Sequence, residues 1–419
     1  MRVIIGGVTT VQAAPIIGSM EIEVRRFEGS LKAWFDAVDI SFGQRVVDED
    51  LPVVEAYTEL DRALAAYAGD RVVGTAGIFS FDMTIPGGRM PVAGITMVGV
   101  HPTHRRRGIL TAMMRAQLDA IHERGEPLAV LWASEAAIYG RFGYGMAAPH
   151  FDMDADRSRF ALRDDPGPRG KVRMVSLGQA VEPCMEVYER VRPTVPGFVG
   201  RNREWWETGR LADPEQWRRG ASPKYVAVIE LDGEPSAYAI YRVKSEWESG
   251  FPKGHVRVVE GLAATAAAER ELWRFLFGID LTVRVESRLD PASPLFLMVV
   301  DARSLQLRAS EGLWLRLVDV GAALEGRSYA SDDEVVVELR DAICPWNAGR
   351  WRLGRDAART AEPAELELDV SDLACVYLGA FDFSRLAAAE RVRELKQGAL
   401  ASADALFRTP RPPYCPEDF

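Results

Sequence analysis

The sequence predicts a mixed α/β protein of three domains, two built on one βα plan and a third of α+β type. Three observations lead there. A strand, a basic turn and an amphipathic helix follow one another between Gly94 and Gly125. A worn copy of that order runs from Tyr225 to Phe277. The chain, at 419 residues, is also too long for one typical domain. The expected boundaries are 1–153, with 1–19 as a short extension ahead of Met20, then 154–304 and 305–419.

In the first domain, Ile22–Phe27 reads as a short strand and Leu31–Val38 as helix. Leu64–Tyr67 and Val72–Phe81 flank Gly69-Asp70, a strong hairpin signal. Gly94–Val100 is an apolar strand, and its turn carries Arg105, Arg106, Arg107 and Gly108. The helix after it is apolar at Leu110, Met113, Met114, Leu118 and Ile121, a spacing that makes one buried face. Gly125 suits the position just past a helix end. Leu128–Ala133 is a buried strand. The charged, Pro/Gly-rich stretch from Asp156 to Gly170 reads as a boundary loop.

The second domain repeats strand, Asp232-Gly233 turn and strand across Tyr225–Tyr241. His255–Leu262 then matches the Gly94–Val100 strand, and helix follows at Ala268–Phe277 with Leu272, Phe275 and Leu276 inward. Between them the side chains are uncharged until Glu269, which repels phosphate, so this copy is not expected to hold an anion. The third domain is expected to open with a strand at Leu313–Val318 and a short helix at Val320–Leu324. Strands at Val335–Leu339, Arg350–Leu353 and Leu366–Leu368, then helix over Leu386–Ser402, complete it.

Composition narrows the function. A net charge of −10 argues against nucleic acid, whose binding rests on Lys and Arg neutralising phosphates. It suits a cationic partner, drawn by long-range steering. No apolar run is long enough to span a membrane, and Met1–Ser19 lacks the features of a signal peptide. Cys184, Cys344, Cys375 and Cys415 are scattered, with no Cys-x-x-Cys pair and no histidine at metal spacing. A reduced, cytoplasmic protein with no metal site is expected.

Strand, glycine-containing basic turn and helix together make an anion site. Free amides at the helix N-terminus point outward, the dipole adds positive potential, and Gly108 lets a ligand approach the backbone. The dinucleotide and P-loop glycine patterns are absent. Arg105-x-x-Gly108-x-Leu110 resembles the acyl-CoA-binding motif of the GNAT N-acetyltransferases, with Leu110 standing where that motif has Gly or Ala. Tyr139, four residues before the Gly143-Tyr144 pair, fits the same superfamily. The longer strings, His104 to Gly108 and Ala133 to Gly145, together with chain length and the C-terminal Phe419, resemble the Eis family of acetyltransferases. The fold so implied is a tandem of GNAT-like mixed-sheet domains followed by a sterol-carrier-protein-like α+β domain.

The resemblance implies acetyl-CoA as co-substrate and a primary amine of a polycationic small molecule, such as an aminoglycoside, as acceptor. Val98, Gly99 and Val100 would hold the pantetheine arm. Arg105, Arg106, Arg107, Gly108, Ile109, Leu110 and Thr111 would hold the pyrophosphate, and Ser134 and Glu135 would meet the thiol end. Tyr139 would be the general acid, because a phenol with a pKa of about 10 is protonated at neutral pH. No histidine of the first domain has a clear catalytic setting; His101 and His104 lie in the phosphate turn. In this family the chain's own terminal carboxylate is the base, here that of Phe419, with Glu417 and Asp418 drawing cations towards it. The stretch from Arg408 to Pro416 is proline-rich and stiff, suited to carrying such a tail. Trp34 and Phe42 are candidate aromatic faces for the amine, and both also suit a core. A homo-oligomer, a hexamer, is implied as well. Two other classes stay open: a protein-lysine acetyltransferase, and a non-catalytic CoA- or lipid-binding protein.

Overall fold

The computed structural model describes residues 2–3, 22–43, 48–163 and 169–419. The proposed extension 1–19, the start at Met20 and the centre of the 156–170 loop therefore lie almost wholly outside the described residues. The chain forms two compact units. One comprises Met1–Ala147, Leu313–Pro410 and Glu417–Phe419; the other comprises Ala148–Gly312 and Arg411–Pro416.

In the first unit β1 (Arg2–Val3) lies parallel to β2 (Ile22–Arg26). Helix α1 (Leu31–Phe42) starts on Ser30, whose side chain accepts the Ala33 amide, and ends on left-handed Gly43. Its apolar face buries Trp34, Phe35 and Val38. A short α2 (Leu51–Glu55) follows. β3 (Leu64–Ala68) and β4 (Arg71–Ile85) form the expected hairpin around Gly69, at φ 60°. A second hairpin, absent from the sequence reading, joins β4 to β5 (Gly88–Val100). Pro91 and the Gly87-Gly88 pair hid its return strand, which begins six residues before Gly94.

Helix α3 (Ile109–Glu123) then crosses over, and β6 (Leu128–Trp132) lies parallel to β5. Two rows of the helix are buried. Ile109, Ala112 and Met113 pack on Val24, Leu64 and Val73. Met114, Leu118 and Ile121 pack on Ile78, Ile95, Leu131 and Tyr139. The one-turn α4 (Ala136–Tyr139) leads to β7 (Gly145–Asp156).

The second unit has the sheet order β7-β14-β13-β10-β9-β8. β8 (Lys171–Val175) precedes α5 (Leu177–Val191), which the sequence reading did not find. β9 (Tyr225–Leu231) and β10 (Glu234–Lys244) turn at Asp232 and Gly233, both at positive φ, as a tight hairpin requires. After the small hairpin of β11 (Trp247–Glu248) and β12 (Phe251–Pro252), β13 (Gly254–Ala263) runs parallel to β14 (Thr282–Leu289). Helix α6 (Ala266–Phe277) is the crossover between them, so the β5–α3–β6 plan is repeated. Here the helix start is closed by its own residue: Thr265 accepts the Ala268 amide. The short α7 (Leu295–Met298) completes this part. Residues 411–416 are held here too. Tyr414 packs on Phe198 at 6.1 Å and donates its amide to Pro196, and Arg210 donates to the Pro416 carbonyl at 3.1 Å.

Two expectations need correction. The strand at Leu313–Val318 does not open the C-terminal sheet. It is part of β15 (Arg308–Leu317), which pairs antiparallel with β6 from Leu313↔Trp132 to Leu317↔Leu128. Leu313, Leu315 and Leu317 are buried on one face and Arg316, paired with Asp341, on the other, and β6 gains a neighbour on its open edge. Helix over Leu386–Ser402 is the second. The C-terminal sheet has the order β18-β17-β16-β19-β20, from β16 (Val335–Arg340), β17 (Gly349–Leu353), β18 (Ala358–Arg359), β19 (Leu366–Asp369) and β20 (Arg393–Glu394). Around it lie α8 (Val320–Glu325), the wholly buried α9 (Val370–Tyr377), α10 (Phe383–Ala388) and α11 (Ala399–Phe407). Glu390 at φ 59° breaks the run after α10, β20 pairs with β19, and Gly398 at φ 89° opens α11.

Candidate active site

The site begins where two parallel strands part. β5 pairs with β6 only from Val92↔Leu128 to Ile95↔Leu131. Beyond Ile95, β5 stays paired with β4, but its register shifts between Thr75 and Gly77. Met97 sits at φ 52°, uncommon for a side chain of its size, and Thr75 donates its hydroxyl to the Met97 carbonyl at 2.9 Å. This bulge turns the strand away, leaving Val98, Gly99 and Val100 half-buried and without ladder partners on β6. Gly99 has a steric reason to be glycine: a Cβ there would lie 2.5 Å from Ser41 Cβ, at the end of α1.

The turn after β5 is exposed at Arg105, Arg106, Arg107 and Gly108. Arg105 is committed to shape, donating to the Val100 carbonyl at 3.3 Å and to Ser41 at 3.5 Å. Arg106 and Gly108 are left-handed, at φ 62° and 78°. Left-handed residues flanking a turn point successive amides into one concavity. The first in-helix bond is Ala112 N–H to Gly108 O, so the amides of Ile109, Leu110 and Thr111 come before the helix ladder. Ile109 is buried, whereas Leu110 and Thr111 are half-buried. Burial leads the causes that lower the His104 pKa, and the charge of Arg107 adds to it. Amides ahead of the helix ladder, a glycine with open space beside it and the exposed Arg106 and Arg107 are the donor set a pyrophosphate needs. The residues present therefore fit the phosphate end of a CoA thioester.

At the end of β6, Ser134 and Glu135 are exposed and lead into α4. Tyr139 is 5% exposed. Burial raises its pKa above 10; a hydrogen bond with Ser134 opposes this, and the Glu135 charge adds to it. Tyr144 meets Tyr139 edge-on at 6.1 Å but is fully buried. Left-handed Gly143 lets this loop sit against Arg316, 2.8 Å from where a Cβ would be. Arg316 in turn bonds Asp341 at 2.6 Å, both wholly buried.

The C-terminus is built into the first unit. The Phe419 ring lies 5.1 Å from Phe81 and 6.4 Å, edge-on, from Phe79. It rests over Gly94, where a Cβ would come within 3.2 Å of it. Glu417 is buried and its carbonyl accepts the Trp132 indole N–H at 2.6 Å, while Asp418 is exposed. Gly94 is one residue short of Ile95, where β5 and β6 part, so the last residue of the chain sits at the mouth of the splay.

The two aromatic candidates differ. Phe42, at the end of α1, is 41% exposed, and its ring is 3.4 Å from the Cβ position of Gly99. Trp34 is corrected: it has no exposed surface, packs tilted against Phe27 at 5.1 Å and donates to the Met97 sulfur at 3.2 Å. It faces the sheet with Phe35 and Val38 because the apolar spacing of α1 points it inward. With Glu59, Phe79 and Met97 it borders a cavity of about 10 Å³, too small for an aminoglycoside ring. Sequence reading missed Trp132, Gly94, Phe79 and Phe81, which hold the tail; none carries a local motif. Among the described residues no group of three or more His, Cys, Asp or Glu is placed to hold a metal, and no helix is long and apolar enough to cross a membrane.

Splayed parallel strands, an amide-lined basic turn and a buried phenol define the class: a GNAT-type N-acetyltransferase. Residues 24–147 and 197–317 each match an acetyltransferase (GNAT) domain family, and 320–416 match a sterol carrier protein domain. An uncharacterized N-acetyltransferase of Streptomyces avermitilis is 46% identical, covering 92% of this chain and 96% of its own. N-acetyltransferase Eis of Mycobacterium tuberculosis is 36% identical over 82% of this chain and 85% of its own. The crystal structure of Eis1 from Mycobacterium abscessus superposes with a TM-score of 0.82 at 32% identity, covering 95% of this chain and all of that one. The chain belongs to the Eis family of N-acetyltransferases.

Proposed function

We propose that this enzyme moves the acetyl group of acetyl-CoA to a primary amine of a polycationic small molecule, aminoglycosides being the expected class. The observation that carries this reading is the seating of the Phe419 ring against Phe81 and over Gly94, one residue short of the splay, which supports its α-carboxylate as the group that takes the ammonium proton. Acetyl-CoA supplies an acetyl thioester ready for attack by nitrogen. Arg106 and Arg107, with the amides from Gly108 to Thr111, bind the pyrophosphate, and Arg105 shapes the turn. Val98, Gly99 and Val100 orient the pantetheine arm and offer backbone donors to the thioester oxygen. Ser134 and Glu135 flank the thiol end.

The Phe419 α-carboxylate, with a reference pKa of about 3.5, takes the proton of the substrate ammonium through water. The freed amine forms the C–N bond as the C–S bond breaks, and Tyr139 gives its proton to the departing sulfur. Nitrogen gives up two protons in all: the ammonium proton goes to the carboxylate and on to solvent, and the proton shed by the N–C adduct returns through water to the Tyr139 phenol that protonated the sulfur. Glu417 and Asp418 add negative charge that favours a cation. The same family reading carries a homo-oligomer, a hexamer, in the cytoplasm, and light scattering on the purified protein tests its mass.

The test is CoA thiol release with tobramycin or neomycin, comparing the full chain with one lacking Phe419. Release that falls about tenfold or more without Phe419, at unchanged acetyl-CoA affinity, is expected. Release by both forms alike rejects the tail as base. No release from either form, with acetyl-CoA bound, rejects this acceptor and directs the search to protein lysines. No binding of acetyl-CoA rejects the whole reading.

A further inference from the structure

A C-terminal carboxylate acts as a base only if the last residues are held still. Termini ordinarily fray, because the final peptide has neighbours on one side only. Among the contacts that hold the last three residues, two differ in chemistry and in place. The Trp132 indole N–H donates to the carbonyl of Glu417 at 2.6 Å, and the Phe419 ring is seated by Phe81 over Gly94. Asp418 lies between the two grips and is exposed. One contact alone leaves the terminus free to swing about it; two, on either side of one peptide pair, fix its direction.

Trp132 occupies a telling place. It is the last residue of β6 and pairs with Leu313 of β15, so its backbone is fixed by the sheet while its indole reaches the tail. β5 and β6 have already parted at Ile95 and Leu131, one residue earlier. Two residues later the chain reaches Ser134. The same strand end thus opens the splay, approaches the thiol-end residues and holds the tail. We infer that Trp132 is a positioning residue for the terminal carboxylate, its N–H and the Phe81–Gly94 seat together fixing the α-carboxylate of Phe419 at the splay. The inference rests on the reading of Phe419 as the base.

The variant W132F keeps an aromatic ring and removes the N–H; F81L loosens the other grip and serves if W132F does not fold. Two readouts are taken on the full chain. The first is release of Phe419 by a carboxypeptidase, followed by intact mass, which reports the tail without reference to catalysis. Losing one neutral hydrogen bond should raise that rate about fivefold. The second is steady-state kinetics with tobramycin. kcat should fall about tenfold while KM for acetyl-CoA stays within about twofold, because a displaced base costs rate rather than cofactor binding. The deficit should also shrink towards about pH 9, where solution removes the amine proton that the carboxylate otherwise takes. A purely structural role would leave a deficit that does not depend on pH.

Unchanged kcat in W132F overturns the inference, whatever the tail does. Lower kcat without faster Phe419 release overturns it too, since the tryptophan then acts by another route. The chain lacking Phe419 separates the two ideas. If that chain keeps its kcat, the base reading fails on its own, and the carboxypeptidase rate still reports the grip of Trp132 on the tail.

Discussion

Tyr139 is buried among apolar neighbours, and burial leads the causes that lift its pKa above 10. A group raised in this way keeps its proton until the pH passes that value. Any alkaline fall in kcat that reflects loss of the acid should therefore lie above about pH 10, not between pH 7 and 9. Y139F, which removes the proton and keeps the ring, should lower kcat about a hundredfold with little change in acetyl-CoA affinity. A loss of less than threefold would assign the acid elsewhere. The arginines of the turn divide in the same concrete way. R107A should raise KM for acetyl-CoA several-fold at low salt, less at high salt, with kcat kept, as expected for an exposed charge facing phosphate. R105A should lower kcat as well, because Arg105 ties the Val100 carbonyl to the end of α1.

Elements place these residues, and steric fit at glycine sets several of them. A methyl group at Gly99 would meet Ser41 Cβ at 2.5 Å, so G99A must push α1 off β5. A loss of about 1–3 kcal/mol is expected in urea unfolding, together with weaker acetyl-CoA binding. Stability equal to the parent would mean that α1 moves freely there. At this scale the sequence was legible wherever chemistry repeats locally. Helix α3 announced itself by its 3–4-residue apolar spacing and by Gly125, and the basic turn by Arg105 to Gly108. The β9–β10 turn showed as Asp232-Gly233. What could not be read depends on partners far along the chain. β15 looked like the start of a new sheet because nothing in 308–317 names β6 as its neighbour. The run 386–402 looked helical because its composition does not reveal the left-handed Glu390 or the pairing of Arg393–Glu394 with β19. The seat of Phe419 brings together Gly94, Phe81 and Trp132, the last 285 residues away from Glu417 along the chain. Spacing rules cannot find such a set, and only the family resemblance pointed to the tail.

Across the whole molecule, each compact unit encloses a buried ion pair, and the one in the second unit shapes its answer to acid. In the first unit Arg316 bonds Asp341, which also accepts the amides of Ile343 and Cys344 and the side-chain amide of Asn347. In the second, Glu260 accepts both Arg201 terminal nitrogens, at 2.9 and 2.6 Å, and the Tyr238 hydroxyl. Burial alone would raise the Glu260 pKa, but Arg201 and then Arg210 outweigh it and hold the carboxyl at about 2. The sign follows from linkage. A carboxylate whose folded pKa lies below its ordinary 4.5 stabilises the fold fully above pH 4.5 and loses that contribution as pH falls from 4.5 to about 2. The second unit should therefore lose a few kcal/mol between neutral pH and about pH 2.5. E260Q should remove that dependence while costing about 3–5 kcal/mol at pH 7, since it leaves Arg201 buried without its counter-charge. Amide hydrogen exchange of residues 148–312 read by mass spectrometry across a urea series follows this unit apart from the other. Because the same unit holds Arg411–Pro416, just ahead of Glu417, E260Q should also lose acetyl transfer before the first unit unfolds. An acid slope that survives the substitution unchanged would show that Glu260 is not the group that titrates.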